Sequence, residues 1–216
     1  MRTLQLARLA PLAGVAFVAL AVTAVALEGD EASESATTAE LVTHWADRAD
    51  TALLSGFLAM AGVAALLVFA ACLRARLRSG EPGEATSSAV AFAGAIVAGS
   101  GLLVSAAVSF AAADAADQGR ADAVPALNAL AQASWLPLTG GLAVMLLATA
   151  VGSLRSAALP SWLAWPAMVL GIAFASPIGL VAFFVTPVWV LAASIVLYRA
   201  AAPTPHRASR PVETLA

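Results

Sequence analysis

Apolar residues run without an intervening charge from 9 to 27, 51 to 73, 88 to 113 and about 126 to 153, and again from Ser156 to Tyr198. A helix rises about 1.5 Å per residue and a bilayer's hydrocarbon core is about 30 Å thick, so roughly 20 apolar residues make one crossing. Each of the first four stretches therefore predicts one spanning helix. The last is different, because 43 residues of continuous helix would measure about 64 Å, twice the core. It must reverse. The sequence SPIG at 176–179 supplies the turn, since Pro177 suits the first turn of a helix and biases the residue before it away from helical angles. A short fifth segment is thus expected at about 160–175 and a sixth at 178–198. The pattern predicts an all-α integral membrane six-helix bundle, one domain over 1–199, followed by a disordered tail at 200–216.

Charge then gives the bundle a direction. There is no lysine, and nine of the eleven arginines (Arg2, Arg8, Arg74, Arg76, Arg78, Arg155, Arg199, Arg207 and Arg210) fall on one side of the alternating spans, leaving Arg48 and Arg120 on the other. Arginine-rich loops stay cytoplasmic, so both termini are expected inside. Ten of the thirteen carboxylates fall outside, with Glu81, Glu84 and Glu213 inside. Trp162 and Trp165 at the inner boundary, and Trp45 and Trp135 at the outer one, match the aromatic belts of membrane helices. Composition agrees, with 61% hydrophobic and 11% charged residues against about 25% charged in soluble domains. Cys72 is the only cysteine, which excludes an intrachain disulfide or a zinc knuckle. Arg2 and Arg8, the apolar run and Ala24-Val25-Ala26 also fit a signal peptide, but nineteen apolar residues at 9–27 exceed the usual core of about 7–15, which favours a retained helix.

Candidate chemistry lies mostly at the outer side. In the loop 28–50, Thr37 and Glu40 have the spacing of a capping box, so a juxtamembrane helix is expected from residue 38. On it Glu40, His44 and Asp47 fall at i, i+4 and i+7, a spacing that can set two carboxylates and an imidazole around a metal ion. The competing reading is an amphipathic helix with a solvated acidic side and Leu41, Trp45 and Ala49 against the membrane interface. Asn128, Gln132, Trp135 and Thr139 form one polar stripe on the fourth span. The third span carries small residues at Gly94, Ala98, Gly101, Ser105 and Ala112, a face that allows close helix packing, within the chain or against a second copy in a homo-oligomer. The short connection between these spans brings Asp114 and Asp117 toward Asn128 and Gln132. Asp114, Asn128, Gln132, Trp135 and Thr139 are therefore the expected lining of a small outward-facing ligand pocket, with simple helix adhesion as the alternative. Pro137 and Pro187 are expected to kink their helices.

Other features narrow the field. No Asp, Glu, Lys, Arg or His lies within the spans, which counts against proton-coupled or ion-coupled transport. LLSGFLAM at 53–60 and PLTGGLAV at 137–144 are a faint internal echo of the kind duplicated transporters show. No Walker loop, GxGxxG, HExxH or GxSxG is present, so no cofactor and no catalytic residue is implied. His206, Arg207 and Arg210 in the tail are too few to suggest nucleic-acid binding and suit contact with anionic headgroups.

The runs LARLAPLAGVAFVAL, the acidic loop beginning GD, ALNAL, and LPSWLAWPAMVLGIA resemble a set of small actinobacterial multi-span membrane proteins of unknown function, over nearly the whole chain. That resemblance implies six helices and a bacterial plasma membrane, and no activity. The sequence thus points to a non-enzymatic membrane protein that acts through partner packing or a small or lipidic ligand at the outer half of spans three and four. A small transporter or channel is the alternative, and a membrane enzyme is the third class.

Overall fold

The computed structural model describes residues 9–29, 36–80, 86–176 and 179–201. Arg2, Arg8, Glu81, Glu84, Pro177 and the tail from residue 202 lie outside them. Every regular element among the described residues is helical. A 3-10 turn, Ala10–Leu12, opens into α1 (Ala13–Glu28). There follow α2 (Thr38–Ala46), α3 (Ala49–Gly80), α4 (Thr86–Asp117), α5 (Val124–Ala133), α6 (Trp135–Ser156), α7 (Ser161–Phe174) and α8 (Gly179–Ala200). Five helices are long and apolar enough to cross a membrane: Ala10–Leu27, α3, α4, the continuous pair α5 and α6, and Val181–Ala200. α7 is apolar but has only 14 residues.

The boundaries follow from local chemistry. α1 stops at Gly29, whose φ of 66° and ψ of −153° suit a residue without a Cβ. α4 closes at Gly119, φ 71°, where the Arg120 N–H turns back to the Ala115 carbonyl at 2.9 Å. α5 and α6 meet at Ser134, whose N–H reaches both Leu130 O (2.9 Å) and Ala131 O (3.2 Å). Pro137 lacks the donor that would have bonded Ala133, and the division between α5 and α6 lies three residues before it. Ala157 ends α6 in the left-handed region, φ 51°.

The bundle is a closed ring in which α1, α3, α4, α6, α7 and α8 each pack on the next and α8 returns to α1. α3 also touches α6 and α8 across the ring. Phe69, Leu66, Leu73 and Leu77 of α3, Met145 and Leu146 of α6, Leu163 of α7 and Val190 of α8 are all buried within it. The α4–α6 seam is the tightest. A Cβ placed on Gly94 would sit 2.5 Å from the Met145 backbone nitrogen and 2.8 Å from the Gly141 carbonyl oxygen. Gly141 in turn faces the Ala98 backbone, and Gly101 faces Leu138. The small-residue face of α4 at Gly94, Ala98 and Gly101 is therefore filled by α6 of the same chain.

α1 belongs to the ring. Gly14 lies against Phe69 of α3 and Ser194 of α8, and Gly62 of α3 receives Leu20 and Phe17. Hydroxyls inside the helices return to their own carbonyls, as Thr149 does to Met145 (2.7 Å), Thr186 to Ala182 (2.7 Å) and Ser194 to Val190 (2.8 Å). Outward, Leu136, Val169, Phe184 and Val188 are more than half exposed, an apolar rim on a ring whose core is already filled.

At 32 residues each, α3 and α4 measure about 48 Å and outrun a 30 Å core. The excess of α4 carries a second, separate apolar cluster. Leu41 and Trp45 of α2, Ala52 of α3, Ala112, Ala113, Ala115 and Ala116 of α4, and Val124 of α5 make up this cap.

Candidate functional site at the acidic end

The cap is built from α2 outward. Thr37 is its N-cap, with φ −68° and ψ 160°. The Thr37 hydroxyl accepts from the Glu40 N–H at 3.4 Å, and the Glu40 carboxylate accepts from the Thr37 N–H at 2.7 Å and from its hydroxyl at 2.8 Å. These bonds, the backbone one first, hold the Glu40 carboxyl below the usual carboxylate range. The capping box is present as its spacing predicted.

The apolar side of α2 turns into protein. Trp45 is 9% exposed, and its indole N–H donates to the Asn128 side-chain oxygen at 3.2 Å. Asn128 is equally buried. The tryptophan expected at the headgroups thus sits beneath α2, hydrogen-bonded to the first turns of α5. Leu41 packs beside it.

On the other side of α2, an Arg48 guanidinium nitrogen lies 2.7 Å from His44 Nδ1 and donates to the His44 carbonyl at 3.2 Å. A guanidinium can only donate, so Nδ1 is the accepting nitrogen and the imidazole is neutral, with its proton on Nε2. Partial burial and, after it, the Arg48 charge push the His44 pKa below the ordinary histidine value, with Asp47 pulling the other way. Arg48 also lies beside Gly29, where a Cβ would meet its Nη2 at 3.1 Å, so one side chain adjoins both the end of α1 and α2.

Ala39, Glu40, Thr43, His44, Asp47 and Arg48 outline a shallow open depression on this face. Glu40 is committed to its cap, and His44 Nδ1 faces a cation instead of awaiting one. Among the described residues no group of three or more His, Cys, Asp or Glu is arranged to hold a metal ion. On the face expected to carry Glu40, His44 and Asp47, the Glu40 carboxylate serves the helix cap and His44 Nδ1 faces Arg48.

Of the five residues expected to line a pocket, Asp114, Asn128 and Thr139 have their polar groups engaged with other partners. Asp114 pairs with Arg120 at 2.8 Å and accepts from the Gln118 amide at 2.8 Å, all near the surface of the α4–α5 connection. Asn128 is taken by Trp45. Gln132 is exposed, and Trp135 is 38% exposed. The Thr139 hydroxyl donates to the carbonyls of its own helix, Trp135 at 3.2 Å and Leu136 at 3.1 Å. The break at Ser134 divides the stripe, so that Asn128 serves the cap while Trp135 and Thr139 belong to α6.

Two participants escaped the sequence reading. In the sequence Arg48 stands out only as a minority charge, although it lies four residues after His44, the spacing of side chains that meet on a helix. The Trp45–Asn128 bond joins residues 83 apart, which no local periodicity reports.

No protein-family model, no curated protein and no solved structure matches the chain.

Proposed function

We propose that the chain is a non-enzymatic, multi-span membrane protein whose outer cap, made of α2 with the ends of α4 and α5, is a contact surface for partners. The cytoplasmic side is the arginine-bearing end, where Arg74, Arg76, Arg78, Arg155 and Arg199 follow or end their helices. The packing of α1 on both α3 and α8 supports its retention as a helix of the bundle. The carrying observation is the buried Trp45–Asn128 bond. It uses the most interior polar group of the stripe to fasten the cap, which favours partner packing over a ligand pocket. The filled ring, with α3 touching α6 and α8 across it, argues in the same direction against a transport path.

Thiol accessibility tests this reading in a Cys72→Ala background. Asn128→Cys and Thr139→Cys are expected to resist a membrane-impermeant maleimide, while Gln132→Cys reacts from the outside. A continuous reactive stripe at 128, 132, 135 and 139 would establish a water-lined pocket and overturn the proposal.

A further inference from the structure

The end of α7 lies far from the acidic end of the bundle. α6 and α7 leave a common level at the arginine end, since only residues 157–160 separate them and the Arg76 Nε donates to the Ala158 carbonyl at 3.0 Å. From there α7 has 14 residues, about 21 Å of helix against a core of about 30 Å. A second contact fixes its far end. Gly171 lies against α6 at Leu147, where a Cβ would be 3.1 Å from the Leu147 backbone nitrogen. Leu147 is twelve residues from Trp135, and Gly171 is three from the last residue of α7, Phe174. At 1.5 Å per residue, α7 ends about 13 Å short of the level of Trp135.

The chain turns back at that depth. Gly179 N–H donates to the Ser176 carbonyl at 3.1 Å, and a Cβ on Gly179 would lie 3.6 Å from both Ala173 O and Phe174 Cα. α8 therefore starts against the end of α7. Its Trp189 indole then donates to the Leu163 carbonyl at 2.9 Å, back near the arginine end. Among the described residues of the turn the donors are satisfied on the spot: Ala175 N–H by Ile172 O (3.1 Å), and Ser176 N–H and hydroxyl by Ala173 O (3.0 and 2.8 Å). Backbone placed in hydrocarbon must be satisfied in this way. From Ser156 to Tyr198 there is no charged side chain that would draw the turn to water.

The face of α6 changes accordingly. At Leu147 it is covered by α7. Further along the same face, Leu136 is 68% and Val144 43% exposed, and a Cβ on Gly140 would meet nothing within 4 Å.

We propose that α7 and α8 form a re-entrant hairpin that enters from the arginine-bearing side and turns inside the hydrocarbon. Acyl chains of the opposite leaflet occupy the recess above the turn, against Leu136, Gly140 and Val144. This rests on the membrane placement given above, and it replaces the fifth and sixth crossings expected from the sequence with one hairpin open only to the cytoplasmic side.

Nitroxide depth measurement decides the matter on the full chain reconstituted in phospholipid vesicles, using single cysteines in the Cys72→Ala background. Spin labels on Ser176→Cys, and separately on Ala175→Cys in case the first disturbs the turn, are expected to collide with oxygen and not with a water-soluble nickel chelate. The depth read from that ratio should exceed that of a label on Trp135→Cys by about 13 Å, the helix-rise difference found above. Labels at 176 and 175 as shallow as the one at 135 would overturn the hairpin and restore two full crossings. A label on Phe184→Cys distinguishes the other failure: if it too is open to nickel, the membrane placement itself is wrong.

Discussion

The Trp45–Asn128 hydrogen bond holds the acidic cap together where both partners are cut off from water. A buried polar group left without its partner costs about 1–3 kcal/mol, more than the bond itself contributes. Trp45→Phe and Asn128→Leu are therefore each expected to lower unfolding stability in detergent by about 1–3 kcal/mol. The double variant should lose less than the sum of the two, and strict additivity would mean that the bond contributes nothing. His44 adds a pH dependence of definite sign. Its folded pKa is depressed, so the unfolded chain takes up the proton first as pH falls below about 6.5. The contribution of neutral His44 is present above that value and is lost on acidification through the folded pKa. The protection factors of the α2 amides, corrected for the intrinsic pH dependence of exchange, should thus fall between about pH 7.5 and about pH 5.5, and His44→Gln should flatten that response. Glu40, also depressed, adds a loss of the same sign at lower pH, below the ordinary carboxylate range. At this scale the capping box was legible because its residues lie three apart on one turn. The Trp45–Asn128 pair was not, because it exists only once α2 and α5 meet.

Between elements, the closest approach is the backbone contact of α4 with α6, and two adjacent glycines show what it requires. Gly141 faces the Ala98 backbone, so a methyl group there forces the helices apart, whereas Gly140 points into open space. Gly140→Ala is expected to be neutral or stabilising by up to about 1 kcal/mol through helix propensity. Gly141→Ala should destabilise by about 1–3 kcal/mol through overpacking, as measured by thermal unfolding in the same detergent. Equal effects at the two positions would show that the seam is looser than its geometry. Segment positions were readable from the charges, since each charged pair brackets an apolar run. The small-residue stripe at Gly94, Ala98 and Gly101 was equally readable. Its occupant was not, because a stripe states how near a backbone can come and not which one does.

For the molecule as a whole, two apolar clusters divide the labour. One fills the ring, and the other binds α2 to the projecting ends of α4 and α5. The chain by itself determined the helical class, the membrane-compatible length of its apolar runs, the contrast between an arginine-bearing and an acidic end, and the cap of α2. All of these follow from residues a few positions apart or from plain counts along a helix of fixed rise. Tertiary structure decided the rest. It closed six helices into a ring with a side-chain core, and it spent the polar stripe on a cap bond and on intrahelical hydroxyl contacts. It also set the end of α7 beside Leu147 instead of level with Trp135. The physical reason is that burial and depth depend on which neighbour covers a face, and a one-dimensional pattern specifies the face but not the neighbour.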